Sequence, residues 1–355
     1  MPRLTPVLTA TVLTATLCAG CRQPAPPSPA TPSRPEGSAG TLFVTNEVGG
    51  DLSVVDVANA KVVAAIPLGK RPRGLALSPD GKLIYVALSG SPMAGPGVDE
   101  KTLPPPDKRA DGIGVVDIER RALLRVMPGG SDPEQLAVSR DGRHLFVANE
   151  DAAVASVLDA ATGAVVATVK VGEEPEGVNL RPDGQVVYVT SEEDSAVYVI
   201  DTARHRLVTT VKVGPRPRST VFSPDGAVAY VPSENGGEVR VIDTKSYKAL
   251  GVVKLSGELQ RPMSGVVAPD GRTLYMTTGR GKTVAVIDTT TRQHVGSIEV
   301  GERPWGIAMS PDGSTLFTAN GTSNDVSIVD AASRQVTHKV TVGQRPWGIA
   351  FRPPV

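Results

Sequence analysis

A three-residue turn motif recurs along this chain and limits the folds that it can adopt. Six Pro-Asp-Gly or Arg-Asp-Gly triplets end 61, 42, 42, 45 and 42 residues apart, and a short apolar run with one aromatic side chain follows each of them. The triplets end at Gly81, Gly142, Gly184, Gly226, Gly271 and Gly313; the aromatic residues are Tyr85, Phe146, Tyr188, Tyr230, Tyr275 and Phe317, with Phe43 as a seventh near the start. A period of about 42 residues indicates a repeated supersecondary unit.

Each unit consists of four short β-strands, here called A to D. The triplet joins A to B, because Pro sets φ at the second turn position and Gly takes the left-handed conformation that closes the turn. An Asp ends or follows strand C in every unit, at Asp56, Asp117, Asp159, Asp201, Asp243, Asp288 and Asp330. The chain begins with a B strand (Thr41–Thr45) and ends with an A strand (Trp347–Phe351). We therefore predict an all-β fold: a seven-bladed β-propeller with four-stranded antiparallel blades, its ring closed by the C-terminal strand joining the N-terminal blade.

The residues before this propeller, which occupies 41–355, differ from it in composition. Residues 1–21 have one basic side chain and an apolar stretch that ends in Ala-Gly-Cys21, a pattern that predicts a bacterial export signal. The end of this segment resembles the lipobox of bacterial lipoproteins, which implies lipidation of Cys21; an ordinary signal peptide is the alternative. Residues 22–40 contain six prolines among Ser, Ala and Gly and predict an extended tether. We expect a periplasmic or cell-envelope protein, anchored to a membrane only by this lipid.

Charge and cysteine content exclude several classes of protein. The chain has 37 basic and 37 acidic side chains, so no overall field attracts nucleic acid or anionic lipid. Both cysteines, Cys18 and Cys21, precede the repeats, which excludes a disulfide framework and an iron–sulfur or haem-thiolate site in the propeller. No strongly apolar run of 18 residues follows the N-terminal segment, so we expect no membrane span in the repeats.

The repeats resemble the YVTN type of β-propeller, on segments such as Phe43-Val-Thr-Asn46 and Tyr188-Val-Thr190. The absence of a Trp-Asp dipeptide argues against the WD40 type. Four loops are similar to those of propeller proteins associated with PQQ-dependent (quinoprotein) alcohol catabolism, namely 131–135, 149–151, 174–177 and 320–325. That resemblance implies an accessory protein of a periplasmic quinoprotein oxidation system. The chain lacks the recurrent tryptophan docking motifs of the eight-bladed quinoprotein dehydrogenases, so we expect no PQQ ligation and no cofactor.

The loops from strand D to the next strand A are charged and vary between units. Six of the seven contain Gly-x-x-Pro, and the residues flanking the proline, in chain order, are Arg71 and Arg73, Asp132 and Glu134, Glu174 and Glu176, Arg216 and Arg218, Arg261 and Met263, Arg303 and Trp305, and Arg345 and Trp347. The B–C loops of the same face add Glu47, Glu150, Glu192 and Glu234, with Asn46, Asn149 and Asn320 beside or in place of them. Because loops from every blade converge at the mouth of a propeller channel, we predict a ligand or partner site there, with both tryptophans in it. The alternative is a ring of solvated ion pairs.

One B–C loop breaks the symmetry of the repeats. From Tyr85 to Asp117 there are 32 residues, where the other units have 13. The extra segment, at about 89–111, is rich in Gly, Pro and charged residues and lies on the same predicted face as the arginines and tryptophans. Because long loops in compact domains are usually functional or disordered, we interpret it as a lid or a partner-docking loop.

Few groups suited to catalysis fall on this face. The histidines are placed in strand starts, C–D turns and D strands, which removes the usual general base and metal ligand from the predicted site. They are His144, His205, His294 and His338. Carboxylates of Glu134, Glu150, Glu176 and Glu192 could hold Ca²⁺ or Mg²⁺ as in propeller lactonases, so a cation-dependent lactonase-like hydrolase is one alternative. A single-stranded nucleic-acid binder, using the arginines and tryptophans, is another.

The prediction that these observations favour is a non-enzymatic binding or accessory propeller of the bacterial cell envelope. We expect a monomer without a bound metal, whose ligand is a protein or a small molecule at the loop face.

Overall fold

The structure of the chain is a computed structural model that describes residues 1–2, 40–93 and 102–354. The predicted lipidation site Cys21 lies outside the described residues, as do nearly all of the predicted signal and tether. Within the described part, no helix has the length and apolar character needed to cross a bilayer.

Seven four-stranded antiparallel sheets form the seven blades of a β-propeller, which confirms the predicted fold. From blade 1 to blade 7, the A strands are Pro346–Arg352, Pro72–Leu77, Pro133–Val138, Pro175–Leu180, Val221–Phe222, Gly265–Val267 and Pro304–Met309. The B strands are Thr41–Asn46, Leu83–Leu88, His144–Asn149, Val186–Ser191, Val228–Ser233, Thr273–Thr277 and Thr315–Asn320. The C strands are Asp51–Asp56, Gly112–Asp117, Val154–Asp159, Ala196–Asp201, Glu238–Asp243, Thr283–Asp288 and Asp325–Asp330. The D strands are Lys61–Pro67, Ala122–Met127, Val165–Lys170, Arg206–Lys212, Ala249–Lys254, Gln293–Glu299 and Gln335–Thr341.

The two ends of the propeller sequence meet in blade 1. Its A strand, the last strand of the chain, pairs with the first B strand in antiparallel register, with Phe43 opposite Ala350 and Leu42 opposite Phe351. The closure predicted from the phase of the repeat is confirmed. It gives blade 1 its fourth strand, so the first B strand is not left as an open edge that could pair with other chains.

The hydrophobic core is divided into seven apolar clusters, one between each pair of neighbouring blades. Both faces of the B and C strands are buried in this way, which explains why their sequences read as continuous apolar runs. The recurrent aromatic of strand B enters these clusters; Phe43, Phe146, Tyr188 and Phe317 are at most 1% exposed. The blades are therefore held together by side-chain packing between sheets.

The turns at the opposite end from the variable loops are closed by carboxylates. In the A–B turn of blade 2, Asp80 accepts hydrogen bonds from the hydroxyl of Ser78 at 2.6 Å and the amide of Lys82 at 3.1 Å, and Gly81 has φ +67°. In the C–D turn of blade 4, Asp201 accepts from the amide of Arg204 at 2.7 Å. These aspartates are structural and lie at the other end of the strands from the loops of interest.

Candidate binding site at the channel mouth

The B–C and D–A loops meet at one end of the central channel and enclose a cavity of about 660 Å³. Thirteen of the sixteen predicted site residues line it: Arg71, Arg73, Asp132, Glu150, Glu174, Glu176, Glu192, Arg216, Arg218, Arg303, Trp305, Arg345 and Trp347. Glu134 and Glu234 do not line the cavity but contact Arg73 and Arg218, respectively. Asn320 is not among the lining residues. We call this space the mouth cavity.

A repeated backbone conformation positions the D–A loop side chains. In five blades strand A begins at the loop proline, and in six the residue before that proline has a positive φ, between +37° at Arg71 and +57° at Arg345. A side chain in this region costs about 1–2 kcal/mol relative to ordinary backbone conformations. The residue types do not indicate this conformation, because five of the six are Arg or Glu, whereas left-handed positions favour Gly, Asn or Asp.

Arg73 is the centre of one buried ionic cluster, here called the Arg73 cluster, with Glu47, Glu134 and Glu150. Its guanidinium contacts the Glu134 carboxylate and lies 3.8 Å from carboxylate oxygens of Glu47 and Glu150. Glu134 is fully buried and Arg73 is 7% exposed. Because these side chains are buried, their ion pairs are not the solvated pairs of the alternative prediction. Removing one partner would leave an uncompensated buried charge.

Glu47 links this cluster to two further arginines of the mouth. Its carboxylate lies 3.1 Å from Arg71 and 3.3 Å from Arg345. One buried carboxylate, supplied by the B–C loop of blade 1, therefore pairs with D–A loop residues of blades 1 and 2.

Arg218 is the centre of a second buried ionic cluster, the Arg218 cluster, with Glu176, Glu192, Glu234 and Arg216. Arg218 contacts both Glu176 and Glu192 and lies 2.6 Å from Glu234. Arg216 lies 2.7 Å from Glu192 and 3.4 Å from Glu234. Two arginines thus face three carboxylates, so the cluster has one carboxylate more than it has guanidinium groups.

The excess carboxylate is accommodated by a proton. Burial, together with the charge of neighbouring Glu176, raises the pKa of Glu192 well above its usual range. Burial also opposes ionisation of Glu176, but Arg218 and a hydrogen bond from Glu192 outweigh it and lower the pKa of Glu176. Glu192 therefore holds the shared proton at neutral pH, and Glu176 stays ionised. Burial disfavours the charged form of Arg218, but the three glutamates overcome it and raise the pKa of its guanidinium.

Glu150 is a second acid whose ionisation is shifted. Burial raises the pKa of Glu150 to about 7, with a further contribution from Asp132 and Glu176 and against the attraction of Arg73. A carboxyl that titrates near neutral pH in a cavity is suited to accept or donate a proton.

The same region holds the three carboxylates that come closest to a metal-binding arrangement in the described part of the chain. Oxygens of Asp132, Glu134 and Glu150 lie within 4.8 Å of one another. Arg73, however, already contacts Glu134 and lies 3.8 Å from Glu150, and the Ser89 hydroxyl donates to Asp132. A divalent cation needs most of its ligands from free oxygens and would be repelled by the guanidinium. Arg73 therefore competes with a divalent cation for the oxygens of Glu134 and Glu150.

The two tryptophans form the floor of the mouth cavity. Trp305 and Trp347 stack with ring centroids 5.8 Å apart and planes inclined by 29°. Arg73 lies over Trp347 at 5.3 Å, while Arg218 and Arg303 lie 5.5 Å and 5.1 Å from the centroid of Trp305. The rings are only 9% and 5% exposed. They lie at the predicted face, but packed under arginines and not as open stacking platforms.

Below this floor the A strands surround a second, smaller chamber of about 130 Å³. The two spaces share four lining residues, Glu176, Arg218, Trp305 and Trp347. These side chains therefore separate the mouth cavity from the interior of the channel.

The asparagines of the B–C loops have a structural role. Each donates its amide to a serine of strand C at 2.9 Å: Asn46 to Ser53, Asn149 to Ser156 and Asn320 to Ser327. Asn320 also donates to Asp325 at 2.6 Å. The structure thus places this candidate residue inside blade 7, where it braces the end of strand B.

The described ends of the insert, 89–93 and 102–111, both contribute to the lining of the mouth cavity. Asp111 fastens them to the propeller, since its carboxylate accepts hydrogen bonds from the amides of Gly90 at 2.7 Å and Asp132 at 3.0 Å. Further contacts join Lys70 to Asp107, Lys108 to Asp151, and Arg71 to the carbonyl of Ser91. The sequence does not indicate the contacts of Ser89 and Asp111 with Asp132, because only the fold brings these residues together.

The histidines lie away from the mouth, as predicted. His144 begins strand B of blade 3, His205 is in a C–D turn, and His294 and His338 are in D strands. None of the four lines the mouth cavity.

Solved structures with similar folds include proteins of several activities. Hydrazine synthase from Kuenenia stuttgartiensis is 21% identical, with 85% of this chain and 98% of that chain covered and a TM-score of 0.70. A functionally unknown protein from Desulfotomaculum acetoxidans DSM 771 is 16% identical, with 89% and 100% covered and a TM-score of 0.72. The dihydro-heme d1 dehydrogenase NirN in complex with DHE is 16% identical, with 91% and 77% covered and a TM-score of 0.63. At these identities the similarity shows the fold alone.

Sequence comparisons cover less of the chain. Antigen Lp49 of Leptospira interrogans serogroup Icterohaemorrhagiae serovar copenhageni (strain Fiocruz L1-130) is 29% identical over 108 residues, which is 30% of this chain and 23% of that protein. The chain therefore matches less than a quarter of this relative's length. Residues 177–346, from strand A of blade 4 to the start of the last strand, match the model of the family described as lactonase, 7-bladed beta-propeller.

Proposed function

We propose that this chain is a binding or accessory propeller of the bacterial cell envelope that takes a small polar molecule into the mouth cavity. The observation that carries the proposal is the cavity itself, which gathers charged loop residues of six blades above a floor of two stacked tryptophans. Its volume of about 660 Å³ lies in the range of small-molecule sites, about 300–1,000 Å³.

The charges around the cavity are already fixed by partners within the chain. Arg73 and Arg218 are each held by several carboxylates and an indole ring, so a ligand would meet donors and acceptors that need no reorganisation. Preorganised polar groups of this kind favour binding, because their side chains lose little further conformational entropy when the ligand binds. A nucleic-acid strand is less well matched, since the ring faces are buried and carboxylates stand among the arginines.

Tryptophan fluorescence tests the proposal, because Trp305 and Trp347 are the only tryptophans of the chain and both form the cavity floor. The mature propeller would be titrated with PQQ, Ca²⁺, a short single-stranded DNA, small alcohols and sugar lactones. We expect a saturable change in emission with at least one small organic molecule. No change with any of them, in protein shown to be folded by circular dichroism, would contradict the proposal.

Two substitutions locate the response. Arg345→Ala alters the cavity wall and should weaken binding at least fivefold. Arg204→Ala removes an exposed arginine from a C–D turn at the other end of the propeller and should leave binding unchanged. Equal effects of the two substitutions would place the ligand elsewhere.

The finer assignment, an accessory role in a periplasmic quinoprotein oxidation system, is supported by the YVTN-type repeats and the loop similarities noted in the sequence. Affinity capture with a purified periplasmic quinoprotein dehydrogenase tests it, with the Arg345→Ala and Arg204→Ala variants as a pair. Mass spectrometry of the membrane fraction tests lipidation at Cys21. An unmodified N-terminus in the soluble fraction would overturn the anchor but not the ligand site.

Lactone hydrolysis is a second candidate, favoured by the family match over residues 177–346 and by the pKa of Glu150 near 7. In this reaction ionised Glu150 accepts a proton from water while the water oxygen bonds to the lactone carbonyl carbon. The ring C–O bond then breaks, the leaving oxygen takes the proton back from Glu150, and the carboxyl group of the product hydroxy acid releases one proton to solvent. Arginine side chains of the cavity stabilise the carbonyl oxyanion, and no metal ion is required.

A pH-stat assay with ε-caprolactone tests this candidate. Acid release above the buffer rate should rise with pH around 7, and Glu150→Gln should reduce it at least a hundredfold. Glu193→Gln, at an exposed glutamate in the B–C loop of blade 4, is the matched control and should retain the wild-type rate. Acid release no faster than in buffer would leave binding as the function.

A further inference from the structure

In the described part of the chain, one arginine of the mouth cavity lacks the carboxylate partner that the other five have. Ion pairs join Arg71 to Glu47, Arg73 to Glu134, Arg216 to Glu234, Arg218 to Glu176 and Arg345 to Glu47. Among the described residues, no carboxylate lies within 4.0 Å of the Arg303 guanidinium and no acceptor receives a hydrogen bond from it. The Arg303 guanidinium instead makes a cation–π contact with Trp305, 5.1 Å from the centroid of the ring.

The surroundings of Arg303 make this lack of a partner unfavourable. The side chain is half-buried, and burial together with the positive charges of Arg345, Arg280 and Arg218 lowers the pKa of its guanidinium, against the more distant attraction of Glu234. A cation held among like charges, partly out of water, gains more from an incoming anion than an exposed arginine does. The position is therefore suited to an anion from outside the chain.

We infer that Arg303, with Arg345 beside it, binds the carboxylate of a small organic ligand in the mouth cavity. The inference rests on the proposed function, because it names the chemical class that the cavity takes. A planar carboxylate matches the planar donor set of a guanidinium, and a carboxylate held by two arginines has both of its oxygens available for hydrogen bonds.

The opposite side of the cavity defines the other end of the ligand. Arg303 belongs to blade 7, and in a seven-membered ring the blades across from it are 3 and 4, which supply Asp132, Glu150 and Glu174 to the lining. Carboxylates accept hydrogen bonds from hydroxyl or ammonium groups. The ligand is thus a carboxylate whose far end carries a hydrogen-bond donor, and a hydroxyl and an ammonium group share this chemistry.

Isothermal titration with four compounds of equal chain length tests the inference: 6-hydroxyhexanoate, 6-aminohexanoate, hexanoate and 1,6-hexanediol. We expect the two carboxylates with a donor to bind most tightly, hexanoate more weakly, and the uncharged diol at least tenfold more weakly than 6-hydroxyhexanoate. The comparison of the hydroxy and amino compounds distinguishes the two donors. Tryptophan emission, recorded in parallel, reports whether each compound reaches the cavity floor.

Arg303→Gln is the decisive variant, and we expect it to weaken binding of 6-hydroxyhexanoate at least tenfold while leaving the diol unaffected. Arg204→Gln is the matched control; it removes an exposed arginine from a C–D turn at the other end of the propeller, and should change affinity less than threefold. Thermal unfolding would confirm that both variants are folded.

The failures of the two proposals differ. If all four compounds bind equally and Arg303→Gln has no effect, the carboxylate site is wrong and the mouth cavity remains a binding site. If these compounds do not bind but another small molecule changes tryptophan emission, the carboxylate class is likewise wrong. If no small molecule of either panel binds, both proposals are overturned.

Discussion

The hydroxyl of Thr45 donates a hydrogen bond of 2.7 Å to the main-chain carbonyl of Arg73. Thr45 lies on strand B of blade 1 and Arg73 on strand A of blade 2, so the bond joins neighbouring blades directly below the mouth cavity. The same relationship recurs between blades 6 and 7, where Thr277 donates to the carbonyl of Trp305 at 2.7 Å. The threonine two residues after the strand B aromatic thus fixes the backbone of site residues.

Thr45→Val is expected to lower the free energy of unfolding by about 2 kcal/mol, because the substitution leaves the carbonyl of Arg73 and the amide of Gly348 without their buried partner. Urea denaturation measures the change. Thr210→Val, at an exposed threonine of a D strand, is the control and should shift stability by less than about 0.5 kcal/mol. Equal losses in the two variants would show that the hydrogen bond between blades adds nothing.

The proton shared within the Arg218 cluster predicts opposite results for two similar substitutions. Glu192→Gln replaces an acid that is already protonated in the folded protein and should not lower stability at pH 7, whereas Glu176→Gln removes a buried charge from Arg218 and should cost about 3 kcal/mol. Thermal or urea unfolding at pH 7 compares them. A greater loss for Glu192→Gln would contradict the assignment of the proton.

The same assignment has a consequence for pH dependence. A carboxyl whose pKa is raised on folding stabilises the protein fully below its unfolded pKa, and the contribution is lost as pH rises toward its folded pKa. For Glu192 this window begins near its ordinary value of 4.5 and extends above neutral pH. The stability of Glu192→Gln should therefore fall less than that of the wild type between pH 5 and pH 9. Parallel profiles would refute the shift.

The turn aspartates predict acid sensitivity. Hydrogen bonds from nearby side chains and amides lower the pKa of Asp80, Asp141, Asp183, Asp225 and Asp312 below 3.8. Their contribution is present above pH 3.8 and is lost as the pH falls through their folded pKa values. A variant with all five replaced by Asn should lose less stability than the wild type between pH 5 and pH 2, measured by thermal unfolding. An equal loss would assign the acid sensitivity to other groups.

The ends of the insert are structural to different degrees. Asp111→Ala leaves the amides of Gly90 and Asp132 without their acceptor and should reduce the free energy of unfolding by about 2 kcal/mol. Lys108→Ala removes an exposed ion pair with Asp151 and should cost less than about 1 kcal/mol. Urea denaturation of the two variants checks this difference, and its reversal would show that the insert is held by its lysine.

Local sequence determined the architecture and the position of the candidate site. The turn triplets, the aspartate of strand C and the 42-residue period depend on residues close together in the chain, so they predicted the blade count, the closure of the ring and the face that carries the variable loops. The prediction that the histidines lie away from that face held for the same reason. The sequence also placed Arg303, Trp305, Arg345 and Trp347 together at the mouth.

Tertiary structure alone decided how the charges of that face combine. Arg73 meets Glu134 from 61 residues away, and Arg218 meets Glu176 from 42, because neighbouring blades bring corresponding loops into contact. Burial, the shared proton and the left-handed residues before the prolines likewise arise only when all seven blades converge. A residue's neighbours in sequence do not determine its partner across the ring. Only the tertiary structure therefore shows that Arg303 has no carboxylate partner among the described residues.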